Sequence, residues 1–283
     1  MERPKVSVII PTYNSGKTLE KCLESVENQT YPSYEIIVID SFSSDGTLRI
    51  AEKFKTKIIQ QKSNPALARN IGMTSSTGKY VLFLDSDQVL SSSVIEESVE
   101  RCENEKAGMA RISEVFIGEG FWGSCSATWK NYYQKVERLY KNNVSLFSGE
   151  PRFFAKGCLT SVGMFDTSLI WGEDYDLYER LKKAEVKETM CKSKIYHYEL
   201  ESIKDILIKN LRYGESMPTF MQQTNEQLFP RMLKHAFLTF REILSDFKGV
   251  PTLIVGCGIL LYLKTCSIVL GLTIGLASVR GKN

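Results

Sequence analysis

Two aspartates one residue apart, Asp85 and Asp87, follow the run Tyr80-Val81-Leu82-Phe83-Leu84. The run reads as a buried strand, and the two acids fall where that strand ends. In an open α/β sheet, ligands bind at the carboxyl ends of parallel strands. Two carboxylates there can share a hard divalent cation, and such a cation can hold a diphosphate. Asp-Ser-Asp is also ordinary turn chemistry, so the pair takes its meaning from the rest of the chain. Farther along, Glu173-Asp174-Tyr175-Asp176 places three acids within four positions. One acid in the first turn of a helix complements its dipole; three exceed that need. His197, in Lys194-Ile195-Tyr196-His197-Tyr198, sits on a late strand. A third metal ligand, a diphosphate contact and a structurally satisfied histidine all fit it. His235, among Leu233, Ala236, Phe237 and Phe240, reads as structural.

The elements that must carry these residues alternate. Val6 to Ile10 is an apolar strand stopped by Pro11 and a turn, and residues 17–28 place Leu19, Cys22, Leu23 and Val26 on one helical face. Glu35 to Asp40 is a second strand ending in a carboxylate, Ser41 to Thr47 a turn, and residues 48–54 a short helix. A weaker strand follows at residues 57–60. Asn64-Pro65 opens a helix over residues 66–74, closed by Thr77-Gly78. Strand–helix alternation of this kind predicts a mostly parallel sheet with helices on both faces. Beyond it the pattern predicts helices over residues 93–105 and 128–140, a short strand at Phe153–Gly157, and a helix carrying Leu177, Leu181 and Ala184. Residues 107–154 carry the weakest pattern. Neither a Gly-x-Gly-x-x-Gly fingerprint nor a Walker loop follows the first strand.

The 283 residues, 43% hydrophobic and 24% charged, describe a globular chain. A net charge of +3 with no basic run argues against nucleic acid. Seven scattered cysteines without Cys-x-x-Cys spacing point to a reducing compartment. The N-terminus enters a strand at once, with no secretory signal, so the catalytic part is expected in the cytoplasm.

Taken together, these stretches resemble family 2 glycosyltransferases, the large inverting group with the nucleotide-sugar-binding GT-A fold. The matching residues are Val6 to Asn14, Ile36 to Thr47, Ala68-Arg69-Asn70-Ile71-Gly72, Leu82 to Asp87, and Gly172 to Leu177. They occur in the family's order and cover roughly residues 5–200. The resemblance implies that Pro11, Thr12 and Tyr13 line the base pocket, with Tyr13 against the base. It places Asn14, Ser86 and Arg69 on the nucleotide-sugar side and has Asp40 contact the base or ribose. It makes Asp85 and Asp87 the metal motif for Mg²⁺ or Mn²⁺, with Asp87 the more direct ligand. Asp174, or else Glu173, becomes the general base at the acceptor side. One departure is that Asp40 is followed by Ser41 and Phe42, where family members commonly carry a second acid. The chemistry suits these side chains independently. A cation stabilises the departing nucleoside diphosphate, and a carboxylate opposite it can deprotonate an attacking hydroxyl in one inverting displacement.

From Val250 to Val279 the single charged residue is Lys264. Thirty helical residues reach about 45 Å against about 30 Å of hydrocarbon. The segment reads as one tilted span, as a re-entrant or interfacial hairpin broken near Lys264, or as a buried core helix. Gly271 and Gly275 form a Gly-x-x-x-Gly pair suited to close helix packing. Arg231, Lys234, Arg241 and Lys248, interleaved with apolar residues, form an amphipathic helix suited to an anionic membrane surface.

The expected organisation is a GT-A domain over residues 1–200, amphipathic helices over 201–248 and a membrane segment over 249–279. The expected protein is a membrane-bound enzyme with its catalytic domain facing the cytoplasm. It moves a sugar from a UDP- or GDP-sugar to a lipid-linked saccharide, the alternative acceptor being a polyprenyl phosphate. An inactive nucleotide-sugar-binding protein is the non-enzyme alternative, and the intact carboxylates Asp85, Asp87 and Asp174 stand against it. A nucleotidyltransferase would carry a Gly-rich basic loop where Pro11-Thr12-Tyr13-Asn14 stands.

Overall fold

The computed structural model describes residues 3–139, 151–199, 202–224, 228–246 and 251–280. The chain forms, in order, β1 (Val6–Thr12), α1 (Leu19–Glu27), β2 (Tyr34–Asp40), α2 (Thr47–Ala51), β3 (Thr56–Gln60), α3 (Pro65–Ser75), β4 (Tyr80–Phe83) and β5 (Gln88–Leu90). There follow α4 (Val94–Glu105), β6 (Met109–Ile117), α5 (Gly120–Leu139), β7 (Phe153–Ala155), α6 (Lys156–Ser161), α7 (Glu173–Lys183) and β8 (Glu188–Tyr198). Three long helices close the chain: α8 (Ile203–Thr224), α9 (Leu228–Asp246) and α10 (Pro251–Arg280). The predicted alternation through residue 105 is present, with ends shifted by one to three residues. The 128–140 helix starts earlier, at Gly120; Tyr140, Lys248 and Val250 lie outside the described residues.

Eight strands form one mixed sheet in the order β3-β2-β1-β4-β7-β6-β8-β5. β3, β2, β1 and β4 are parallel neighbours, and β7 then runs antiparallel to both β4 and β6. The chain leaves β1 toward β2 and β3, then returns through α3 to β4 on the other side. The switch point therefore lies between β1 and β4, where open sheets bind ligands. Alternate strand residues supply two cores, as expected of a sheet covered on both faces. Val8, Ile10, Val38 and Leu82 pack with α1, α2 and α4. Ile9, Ile37, Val81 and Phe83 pack with α3, α6 and α7. Each fully buried aliphatic or aromatic side chain contributes about 1.5–3 kcal/mol.

Helix α3 carries Arg69. Asn64 caps it by accepting the Leu67 N–H at 2.8 Å, and Pro65 takes the first turn, where no N–H is required. Gly72 lets the helix lie directly on β1, for a Cβ there would stand 2.3 Å from Ile9 Cγ2. A Gly72→Ala change would push the helix, and Arg69 with it, off the sheet.

The chain divides into two compact units. The first holds residues 1–115, 149–167 and 173–197; the second holds residues 116–148, 168–172 and 198–283. This differs from a cut at residue 200, since α5 joins the C-terminal helices. The core of the second unit is built from Cys125, Ile206, Ile243, Cys257 and Leu260, with Trp122, Trp129 and Tyr132 packed against it. His235 is fully buried there and stacks on Tyr133 with ring centroids 3.6 Å apart.

Candidate active site

The loops that leave β1 and β2 at their carboxyl ends are stitched to each other. The backbone N–H of Asn14 donates to Ser43 Oγ (2.8 Å), and Asn14 Oδ1 accepts from the Ser44 N–H (2.9 Å). The Ser15 N–H donates to Thr47 Oγ1 (2.7 Å) and the Gly16 N–H to Asp45 Oδ2 (2.9 Å). Ser15 Oγ also meets Ser86 Oγ at 2.8 Å, tying this loop to the Asp-Ser-Asp turn after β4. Asn14 holds the left-handed conformation, φ 50°, that an Asn tolerates. Tyr13 projects from this ridge two-thirds exposed, and Phe42 stands exposed on the neighbouring loop. An aromatic left bare at a switch point is suited to stacking on a planar ligand.

Asp40 behaves otherwise than a ligand-facing acid. Its carboxylate is fully buried. It accepts from Thr12 Oγ1 (3.0 Å), the Ser43 N–H (2.9 Å) and Ser43 Oγ (2.5 Å), with Gln60 Nε2 at 3.4 Å. These bonds consume its acceptor capacity, so Asp40 braces the 41–47 loop rather than reaching a base or ribose. Thr12 is likewise buried and turned to Asp40, and Pro11 lies in β1 itself.

Beyond β4, side chains from six elements and turns join into one alternating chain of charge. Glu173 Oε1 accepts from Arg69 Nη1 at 2.9 Å, and Asp174 Oδ1 lies 3.4 Å from the same nitrogen. Arg69 Nη2 donates to Asp85 Oδ1 at 3.0 Å. Asp85 Oδ2 accepts from Arg152 Nη1 at 3.1 Å, and Arg152 Nε donates to Glu114 Oε1 at 3.0 Å. Glu114 Oε2 then faces His197 Nδ1, and His197 Nε2 faces Asp87 Oδ2, both at 3.4 Å. Gln88 clips the turn, accepting the Asp85 N–H at 2.9 Å while its amide lies 3.3 Å from both Glu114 Oε1 and His197 Nδ1.

Burial makes this chain strict, because a buried charge without a partner costs several kcal/mol. Burial by itself would raise the Asp85 carboxyl, but Arg152 and then Arg69 hold it well below the usual carboxylate range. Glu114 is likewise held down to about 2, with Arg152 and the His197 hydrogen bond overcoming its burial. Glu173 goes the other way: burial, then the adjacent charge of Asp174, push its carboxyl up against the pull of Arg69. Arg69 also lies 5.4 Å from the centroid of the Phe165 ring, a cation–π contact that fixes its plane.

The two ends of the chain remain accessible. The Asp174 side chain is 37% exposed and borders a small cleft with Arg152, Phe165, Leu177 and Tyr178. That of Asp87 is 33% exposed. The two acids of the Asp-Ser-Asp turn therefore have different surroundings. Asp85 has both oxygens committed to guanidiniums, whereas Asp87 shares its point of convergence with His197 Nε2.

No group of three or more His, Cys, Asp or Glu converges as a metal cage among the described residues. The donor chemistry of Asp87 and His197 nevertheless fits a divalent ion completed by ligand oxygens and water. A carboxylate on the far nitrogen, here Glu114 on Nδ1, is the usual orienting arrangement for a metal-binding histidine. Five carboxylates against two guanidiniums also leave the region short of positive charge. Asp85 does not fit a direct ligand role in this arrangement.

Arg152, Glu114 and Gln88 were invisible to motif reading. One signal was available for Glu114. Alternation along β6 puts it on the face of Ala110 and Ile112, both fully buried, and a carboxylate in that phase needs a partner.

Comparison with known proteins agrees with this geometry. The family model for Glycosyl transferase family 2 matches residues 7–160. Glycosyltransferase AglE of Haloferax volcanii is 29% identical over 223 residues, 75% of this chain and 72% of AglE. The minor teichoic acid biosynthesis protein GgaA of Bacillus subtilis is 29% identical over 234 residues, 76% of this chain but 51% of GgaA. Among solved structures, the mannosyltransferase PcManGT from Pyrobaculum calidifontis, in complex with GDP-Man and Mn²⁺, superposes with TM-score 0.65 at 18% identity. That match covers 97% of this chain and 88% of PcManGT. TarS 1-349 of S. aureus with UDP-GlcNAc gives TM-score 0.55 at 17% identity, over 98% and 92%. The sheet order, the switch-point loops and the matched model agree, and the chain belongs to glycosyl transferase family 2.

Proposed function

We propose that this protein transfers a sugar, with inversion, from a nucleotide-sugar donor to a hydroxyl of a lipid-linked saccharide. The observation that carries the proposal is the ion chain, in which Asp85 is paired on both oxygens with guanidiniums while Asp174 at one end and Asp87 with His197 at the other keep accessible acids. Tyr13 takes the face of the base, with Asn14, Ser15 and Ser86 shaping the adjoining ridge. Asp87 and His197 would hold Mg²⁺ or Mn²⁺, which when bound supplies positive charge for the departing diphosphate. Arg69 and Arg152 hold Asp85 and the turn in place, so the position of Asp87 is fixed before a donor arrives. Asp174, the exposed acid of its pair, takes the proton of the acceptor hydroxyl. Buried Glu173 orients Arg69. A hydroxyl acceptor suits this assignment because a lipid phosphate, with a second pKa of about 6, is already largely ionised at neutral pH and needs no base. The relative named for teichoic acid biosynthesis, GgaA, and the apolar C-terminal helix support a lipid-borne acceptor met at the cytoplasmic face of the membrane.

The test uses the full chain in detergent or lipid, a panel of labelled UDP- and GDP-sugars, Mn²⁺ or Mg²⁺, and a lipid extract containing lipid-linked saccharides. Metal-dependent movement of label from one donor into the organic phase, lost in Asp87→Ala, is the expected result. Label released only as free sugar would remove the acceptor half. Failure of every donor to bind would remove the whole assignment.

A further inference from the structure

Helix α10 is long and apolar enough to cross a membrane by length and composition. Its surroundings within the second unit argue otherwise. Lys264, near its middle, turns inward and donates to Ser126 Oγ at 3.1 Å. Ser126 donates in turn to Glu199 Oε2 at 2.8 Å, and Lys130 pairs with the other oxygen of Glu199. The C-terminal half of α10 lies backbone to backbone on α8. A Cβ on Gly271 would stand 2.1 Å from the Leu211 carbonyl oxygen, and one on Gly275 would stand 2.3 Å from that of Glu215. That same turn of α8 exposes Arg212 and Glu215. Were α10 to cross the bilayer in this conformation, Lys130, Glu199, Arg212 and Glu215 would be carried to hydrocarbon depth with it, where ionised groups are excluded unless they line a polar interior.

The opposite face of α10 is exposed from end to end. Val255, Ile259, Tyr262, Cys266, Leu270 and Ile274 recur at helical spacing, and no residue described as exposed between Pro251 and Ala277 is charged. Helix α9 of the same unit adds exposed Leu233, Phe237 and Leu244, with exposed Lys234 and Arg241 beside them. An apolar stripe accompanied by cations matches an anionic lipid surface. From these contacts, and resting on the reading that α10 meets lipid, we propose that α10 lies in the plane of the membrane. It sinks its exposed stripe into the acyl boundary of one leaflet and crosses neither the bilayer nor half of it. Unit 2 is then a monotopic membrane platform, and Lys264 is its internal anchor rather than a charge stranded in lipid.

Depth measurement tests this without any donor or acceptor, so its failure is separable from failure of the transferase assignment. A fluorophore is placed in turn at the exposed Cys266, at Ile259→Cys and at Ile274→Cys, the last two in a Cys266→Ser background. Each full-length protein is mixed with vesicles of phosphatidylglycerol and phosphatidylethanolamine carrying shallow or deep lipid quenchers. An in-plane helix gives the same shallow-to-deep quenching ratio at all three positions. A span or a re-entrant hairpin makes position 266 the deepest, and that result overturns the proposal. Absence of quenching with the protein in solution as an oligomer also overturns it, by showing that a second copy covers the stripe. Wild-type Cys266 needs no substitution, so a misfolded variant cannot hide the answer at that position.

Discussion

Both units of this protein bury charge, and they do so to different ends. In the first, the chain from Glu173 to Asp87 buries Arg69, Arg152 and Glu114 and leaves the aspartates 174, 85 and 87 exposed by 37%, 28% and 33%. In the second, Lys264, Ser126, Glu199 and Lys130 close on one another. A network with accessible acids, Asp87 beside a histidine and Asp174 on a cleft, can act on a ligand; one whose single acid, Glu199, is buried against Lys130 and Ser126 holds elements together. The contrast shows why a run of acids or a lone lysine is uninformative until its partners are known.

The largest effect is expected at the metal end of the first network. Asp87→Ala is expected to lower transfer on the order of 10³-fold, measured as initial rates at saturating metal, with little change in urea midpoint. Asp85→Asn, two residues away, should behave in the opposite manner. It leaves two buried guanidiniums short of an anion and is expected to cost about 3 kcal/mol of stability, read by urea denaturation. If both variants lose activity with unchanged stability, the distinction between them fails. At the acceptor end, Asp174→Asn should lower kcat about 10²-fold while donor binding by calorimetry is retained.

The paired middle can be read by pH. Glu114 titrates at about 2 in the fold against 4.5 when exposed. Its folded pKa is depressed, so its contribution is complete above about 4.5 and disappears as the pH falls toward 2. Asp85, also depressed, acts in the same direction. The urea midpoint of the wild type should fall over this acid window, and Glu114→Gln should flatten that fall. The smallest effect is expected in the closed network, where Ser126→Ala should cost about 1 kcal/mol with the transfer rate unchanged. A loss of transfer in that variant would show that the two networks are not separate in role.

Much of the first unit was legible because its elements advertise themselves locally. β1, β2 and β4 are continuous apolar runs ended by Pro or Asp, and α3 carries its cap and proline in the chain itself. The Asp-Ser-Asp turn, Arg69 and the acids at 173 and 174 could be singled out for the same reason. Arg152 and Glu114 could not, because their meaning is a pairing across 38 positions of chain, between strands placed side by side by the sheet order. β6 was missed because its outer half is only partly buried, which blurs the alternation that announces a strand. Asp40 illustrates the converse. The chain places an acid at a strand end, and only its four donors show that it is used up internally.

The pairing of β4 with β7 also bears on folding. Leu82 stands opposite Phe153, and the Phe83 N–H donates to the Arg152 carbonyl at 3.0 Å, so Arg152 arrives beside Asp85 only in this alignment. A slip by one residue would turn Arg152 to the opposite face of the sheet. Hydrophobic residues alone would object weakly, since Phe153 and Phe154 are near equivalents in shape. Glu114 would object strongly, being left buried with its guanidinium gone, and Asp85 would lose one of its two. The arginine just before β7 thus works as a proofreader of strand alignment, rejecting an assembly that apolar packing could tolerate.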